Sequence, residues 1–159
     1  MNISLKRIII GAFALYITLQ WYSIYLITNL GIITSEITAQ SLFWSLKILG
    51  KEPTVNGSWV IADSTRFGII PECTITAPLM VLIIGALITP VHMKKKLYII
   101  VIAFFLLSLI NMIRLTSLFF LLSFNTQYFD MIHVLIWQPM IIISAIFIWG
   151  CWIFRENSL

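Results

Sequence analysis

The chain has 159 residues, 60% of them hydrophobic and only 10% charged, too little polar surface to coat a water-soluble globule of that size. One lipid-embedded domain covering residues 1–159 uses up the length, since each helical span takes about 20 residues. A net charge of +4 would suit a nucleic-acid partner in a soluble protein, but here the basic residues flank apolar runs, a pattern that sets membrane topology and gives no sign of nucleic-acid binding.

The first apolar run, 8–30, follows Lys6 and Arg7 and is interrupted only by Gln20 and hydroxyl groups. No small-x-small cleavage pattern follows it, so it reads as a retained anchor and not a cleaved signal peptide. In the next segment, 31–72, Ile33, Ile37, Leu42, Phe43, Leu46 and Leu49 recur at helical spacing, with Trp44 suited to the headgroup level. This predicts an extracytoplasmic interfacial helix ending near Gly50. As a span, the same stretch would carry Glu36, Gln40 and Lys47 into the bilayer. The runs 53–61 and 65–70, rich in Val, Trp, Ile and Phe, flank Asp63 and Ser64 and contain Asn56-Gly57. They predict two short strands or an ordered hairpin-like loop leading back to the membrane.

A second span is expected over 74–90, ending at Pro90 before His92, Lys94, Lys95 and Lys96. The third is placed at 97–120; its apolar run continues to about Phe124, longer than a perpendicular crossing needs, so it should tilt or break near its end. The fourth, 132–154, is followed by Arg155. The fold class is therefore an all-α integral membrane protein with four spans, an interfacial helix and a short hairpin-like loop. Four spans put Lys6, Arg7, the lysines at 94–96 and Arg155 on one side, which the excess of basic residues in cytoplasmic loops makes the inner face of the cytoplasmic membrane. Both termini are expected there, with 31–72 outside.

Helical rise converts these spans into depth. Cys73 lies about 21 residues from Lys94, Arg114 about 18 from Lys96, and His133 about 22 from Arg155, or roughly 27–33 Å in each case at 1.5 Å per residue. Three spans thus bring a thiol, a guanidinium and an imidazole to the same outer level, and these are the parts for acyl transfer by a cysteine nucleophile. Each has an ordinary reading too: Cys73 as a small buried hydrophobe, Arg114 as a side chain snorkelling to the headgroups, His133 as an interfacial helix cap. Cys73 stands where a loop enters a helix, whose first amides would lower the thiol pKa. Ser108, Asn111 and Arg114 follow at i, i+3 spacing, a polar stripe that should face other helices or a water-filled cleft, with Asn111 placed to orient the guanidinium. Asp130 is placed to orient His133 or to cap the helix. Cys151 lies near the opposite membrane face and cannot form a disulfide with Cys73 in one chain. No His or Cys pair has metal-ligand spacing, and no cofactor motif is present.

At these residues the chain resembles the exosortase/archaeosortase family of integral membrane transpeptidases. The resemblance is carried by Cys73 after the external loop, Asn111-x-x-Arg114 late in the third span, His133 before the last span, and the Leu49-Gly50 turn followed by a hairpin-like segment; it covers the chain from about Leu42 onward. One departure is that Cys73 is followed by Thr74 and Ile75, where the family usually has a hydroxyl residue and then glycine. The chain is also short for the family, without the extra N-terminal helices of its larger members. The resemblance implies a cysteine protease or transpeptidase acting on exported proteins whose C-terminal sorting signal is a short motif, a hydrophobic span and a basic tail. It implies that Cys73 forms a thioester, that Arg114 stabilises the oxyanion, that His133 serves as acid and base, and that a lipid or glycolipid is the acceptor. Asn111, Asp130 and Gln138 are the supporting positions.

Two other classes are open to these residues. A non-enzymatic membrane assembly or partner-binding subunit would use the polar groups to pack helices. A small transporter would need polar groups to continue across the bilayer, whereas the first half of the third span and the middle of the fourth are apolar.

Overall fold

The computed structural model describes the backbone of residues 5–124 and 126–157, without the side chains of 5–12, 14, 15, 19, 126 and 157. The expected cytoplasmic placement of both termini, and of Lys6 and Arg7, therefore falls partly outside the described residues. The described residues form six α-helices and one small sheet: α1 (Leu5–Ile27), α2 (Asn29–Ile48), strands β1 (Thr54–Asn56), β2 (Trp59–Ala62) and β3 (Thr65–Gly68), then α3 (Thr76–Ile88), α4 (Met93–Phe124), α5 (Phe129–Ile132) and α6 (Gln138–Asn157). Among the described residues, two helical stretches are long and apolar enough to cross a membrane, Met93–Phe124 and Phe129–Glu156.

The first apolar run ends earlier than expected. Helix α1 stops at Ile27, Thr28 adopts an extended conformation, and α2 begins at Asn29. The break stays satisfied because the Thr28 amide and hydroxyl both donate to the Tyr25 carbonyl. Helix α2 ends near Gly50 as its pattern predicts: Leu49 caps it, and Gly50, at φ +79°, takes the left-handed conformation that closes a helix at low steric cost.

The face that α2 buries shares Leu42 and Leu46 with the predicted apolar stripe. Gly31, Ser35, Ala39, Leu42 and Leu46 are buried, whereas Ile33, Ile37 and Leu49 are exposed. Gly31, Ser35 and Ala39 are small and let neighbouring backbones approach closely, with Leu42 and Leu46 continuing the packed side.

The loop is a three-stranded antiparallel meander, one strand more than expected. Asn56-Gly57 straddles a strand end: Asn56 closes β1 and pairs with Trp59 across the two-residue turn Gly57-Ser58, in which Gly57 has φ +59°. A second two-residue turn, Asp63-Ser64, joins β2 to β3, with Asp63 at φ +53° and ion-paired to Lys51 at 2.7 Å. Val60, Ala62, Phe67 and Ile69 point from this sheet into a core shared with Leu42 and Leu46 of α2 and Leu115, Leu118 and Phe119 of α4.

Helix α3 has only 13 residues, about 20 Å, short of the roughly 30 Å hydrocarbon core of a bilayer. The helical distance counted back from Lys94 to Cys73 is thus too long, because turns occupy both ends of that segment. Helix α4 runs unbroken for 32 residues, so the expected break near its end does not occur. At the opposite end from the sheet the helices are tied together. Lys96, 9% exposed, donates to the Leu87 carbonyl at 2.7 Å, Lys95 is ion-paired with Glu156, and the Trp149 indole donates to the Thr89 hydroxyl at 3.1 Å.

Candidate active site

Residues 71–73 form a single 3-10 turn between the sheet and α3, with Pro71 at its first position. The turn ends at Cys73, whose amide donates to the Ile70 carbonyl at 2.8 Å. Cys73 is buried, 3% exposed, in the core beneath the sheet. It does not occupy the N-terminus of α3, which begins at Thr76 with Ile75 as its cap. The predicted depression of its pKa is therefore corrected: burial pushes the thiol above its ordinary value, with the Arg114 charge pulling the other way and Glu72 adding to the rise.

The polar stripe of α4 turns inward as predicted. Asn111 and Arg114 are 3% and 1% exposed, so Arg114 does not snorkel to a headgroup layer. Asn111 links two segments: its Nδ2 donates to the Cys73 carbonyl at 2.9 Å, and its Oδ1 accepts from Arg114 Nη1 at 3.3 Å. The other terminal nitrogen of the guanidinium, Nη2, lies 3.0 Å from His133 Nε2. Arginine only donates, so Nε2 is the acceptor and the proton of the neutral ring sits on Nδ1. Arg114 Nε is buried with no hydrogen-bond partner, an oriented N–H of the kind that a buried site leaves open for a ligand.

His133 is presented by an irregularity that its sequence signal, Pro139, could have announced. Residues 133–137 form a π-helical turn between α5 and α6 in which the Gln138 amide donates to the His133 carbonyl. Proline at 139 has no N–H and its ring collides with the carbonyl four residues back, so widening the helix there relieves the clash. Phe129, which the sequence did not single out, lies beside the imidazole with ring centroids 5.6 Å apart. Asp130, proposed to orient His133, is exposed. Gln138 joins Arg114, Glu72 and Tyr22 around a cavity of about 230 Å³.

A second unpredicted feature braces the cysteine turn. The buried Tyr25 hydroxyl bonds to the hydroxyls of Thr34, Thr74 and Thr76, the last two at 3.0 and 3.1 Å. Thr74, the residue after Cys73, also donates to the Pro71 carbonyl at 2.8 Å. The structure thus brings Cys73, Asn111, Arg114 and His133 together from three stretches of chain, and leaves Asp130 at the surface. Cys151 is an exposed free cysteine on α6, bordering a cavity with Tyr98 and Arg155 near the other end of the bundle. No family model, curated protein or solved structure matches the chain.

Proposed function

We propose that the chain is a membrane-embedded cysteine transpeptidase or protease of the exosortase/archaeosortase kind, cleaving a C-terminal sorting signal of exported proteins at the outer surface of the cytoplasmic membrane. The observation that carries this reading is the connected path from the Cys73 carbonyl through Asn111 to Arg114 and on to His133. A buried arginine held between a cysteine turn and a histidine supports this reading, since its N–H groups are in place before charge develops.

The reading takes α1, α3, α4 and the α5–α6 stretch as four spans with α2 and the sheet outside. It is supported by the Lys95–Glu156 pair and the Lys96–Leu87 bond, which gather the ends of α3, α4 and α6 at one basic face, the face expected in the cytoplasm.

In the first half-reaction the substrate's scissile carbonyl enters beside Arg114. An Arg114 N–H turns from His133 Nε2 to the carbonyl oxygen, which frees the imidazole lone pair. His133 takes the proton from Cys73 Sγ as sulfur bonds to the carbonyl carbon, and Arg114 holds the resulting oxyanion. Collapse breaks the C–N bond, the amine leaves with the proton from His133, and a thioester remains. The raised thiol pKa fits this order: the proton moves during attack, and no resting thiolate is required. In the second half-reaction a hydroxyl or amine gives its proton to His133, bonds to the acyl carbon and expels Cys73 sulfur, which regains a proton; water in that place gives hydrolysis.

The placement of Cys73 within an apolar core favours the second reading, a non-enzymatic assembly or partner-binding subunit in which cysteine only packs. One experiment separates the two. A candidate exported protein with a C-terminal sorting signal is co-expressed with the wild type, Cys73→Ala, Arg114→Ala and His133→Ala at matched membrane levels. The transpeptidase reading expects loss of cleavage in all three variants and a hydroxylamine-sensitive adduct in the wild type; full processing by Cys73→Ala sinks it.

A further inference from the structure

A larger cavity, about 660 Å³, opens on the other side of the cysteine turn, between α1, α2, α3 and α4. Its mouth is flanked by exposed apolar side chains, among them Trp21, Ile37, Phe104 and Phe105, so it faces sideways into whatever surrounds the helices. Its lining changes character along its length. One part is apolar, built from Leu79, Met80 and Ile83 of α3 and Phe104 and Phe105 of α4; the other carries the hydroxyls of Thr34, Thr38, Ser41 and Ser108. No charged side chain lines it among the described residues.

The hydroxyl hydrogens are already committed. Thr34 donates to the Leu30 and Gly31 carbonyls, Thr38 to Thr34, Ser41 to Ile37 and Ser108 to Phe104, all within their own helices. One N–H of the Asn111 amide is likewise taken, by the Cys73 carbonyl. What the hydroxyls still offer is oxygen lone pairs. A ligand seated against these hydroxyls must therefore bring donors of its own, and a phosphate or carboxylate would meet no cation there.

We propose that this cavity binds a lipid with an uncharged, hydroxyl-bearing head, its alkyl chain lying against Leu79, Met80, Ile83 and Phe105 and its hydroxyls donating to the oxygens of Thr34, Thr38, Ser41 and Ser108. The substrate's own hydrophobic span is the wrong size, since a helix of about 20 residues is roughly 30 Å long and 10 Å across, several times the space available. Continuity with the candidate active site comes from two lining residues: Thr74 follows Cys73 in the chain, and Asn111 bonds the Cys73 carbonyl. If the transpeptidase reading holds, a lipid hydroxyl in this cavity is the acceptor, its oxygen bonding to the acyl carbon as the C–S bond breaks and its proton passing to His133. The binding itself does not rest on that reading.

The test is photolabelling of the purified chain in nanodiscs. The probe is a monoglucosyl diacylglycerol with a diazirine near the end of one acyl chain, and the comparator is phosphatidylglycerol carrying the same chain. Labelled residues should concentrate at Leu79, Met80, Ile83 and Phe105, with the glucosyl probe at least about tenfold ahead of the anionic one. Unlabelled glucosyl lipid should displace it saturably in the wild type. Ser108→Phe and Met80→Trp, which fill the cavity from opposite helices, should abolish this labelling, and Ser108→Ala, which removes one of the four acceptor oxygens, should weaken it. Labelling spread over all outward faces without saturation, or equal labelling of the cavity by both lipids, overturns the proposal, and the wild-type displacement decides the matter even if the filled variants fail to fold. A chain that labels as expected yet processes no sorting signal overturns the enzyme reading alone.

Discussion

At the scale of single residues, the chemistry turns on what burial does to Cys73. A thiol whose folded pKa is raised binds its proton more tightly in the folded than in the unfolded chain. Its contribution to stability is whole below the unfolded thiol's pKa and is lost as pH rises from there through the folded value. Stability should therefore fall as pH climbs beyond the ordinary thiol value of 9.0, and in a Cys151→Ser background Cys73→Ser should flatten that slope in thermal melts taken across the alkaline range. Asn111 gives a second residue-level prediction. Asn111→Leu keeps the volume but strips the partner from the Cys73 carbonyl and one partner from Arg114, each a buried polar loss of about 1–3 kcal/mol. It should lower the melting temperature clearly, whereas Asp130→Asn, at an exposed position, should leave it unchanged. The Asn111–Arg114 pair was legible in the sequence because three residues on a helix fix two side chains on one face. The Arg114–His133 contact was not, since equal depth says nothing about position around a bundle.

Among the elements, α3 and α6 pack around a glycine. A Cβ at Gly85 would stand 2.8 Å from the indole ring of Trp149, while one at Gly150 would meet nothing within 4 Å. Gly85→Ala should destabilise by about 1–3 kcal/mol, because a whole ring has to move, and Gly150→Ala should be neutral or slightly stabilising on helix propensity; paired melts of the two variants check the contrast. Helix existence and the end of α2 were readable from apolar runs and from Gly50. Of the apolar stripe on α2, Leu42 and Leu46 pack inward while Ile33, Ile37 and Leu49 stay exposed. In Gly31, Ser35 and Ala39 the packed side was written in small residues. The third strand was hidden because Asn56-Gly57 was read inside one extended run, although that dipeptide favours a tight hairpin turn.

For the whole molecule, the proposed four-span arrangement makes a prediction about sidedness. In intact cells a membrane-impermeant maleimide should label Ser64→Cys, in the exposed turn of the meander, when Cys151 is replaced by serine. Native Cys151, exposed on α6, should react only after permeabilisation. Labelling of Cys151 from outside would overturn the orientation, and protection of residue 64 would place the sheet on the inner side. The overall class was legible from composition because polar residues were too few to cover a globule. The length of α3 was not, since an apolar run continues across turns that a hydropathy pattern does not see.

The π-helical turn at 133–137 also has a meaning in genetic terms. A π turn is an α-helix with one residue too many, so deleting one codon just after His133 would restore a regular helix through this stretch. Because a π turn winds five residues through nearly the angle that four take in an α-helix, the helix on either side would stay in register and the imidazole would keep its approach to Arg114. The meeting of histidine and arginine thus tolerates the loss of one codon here but not of two, since a second deletion has no wide turn left to absorb it and rotates the imidazole by about 100° relative to α6.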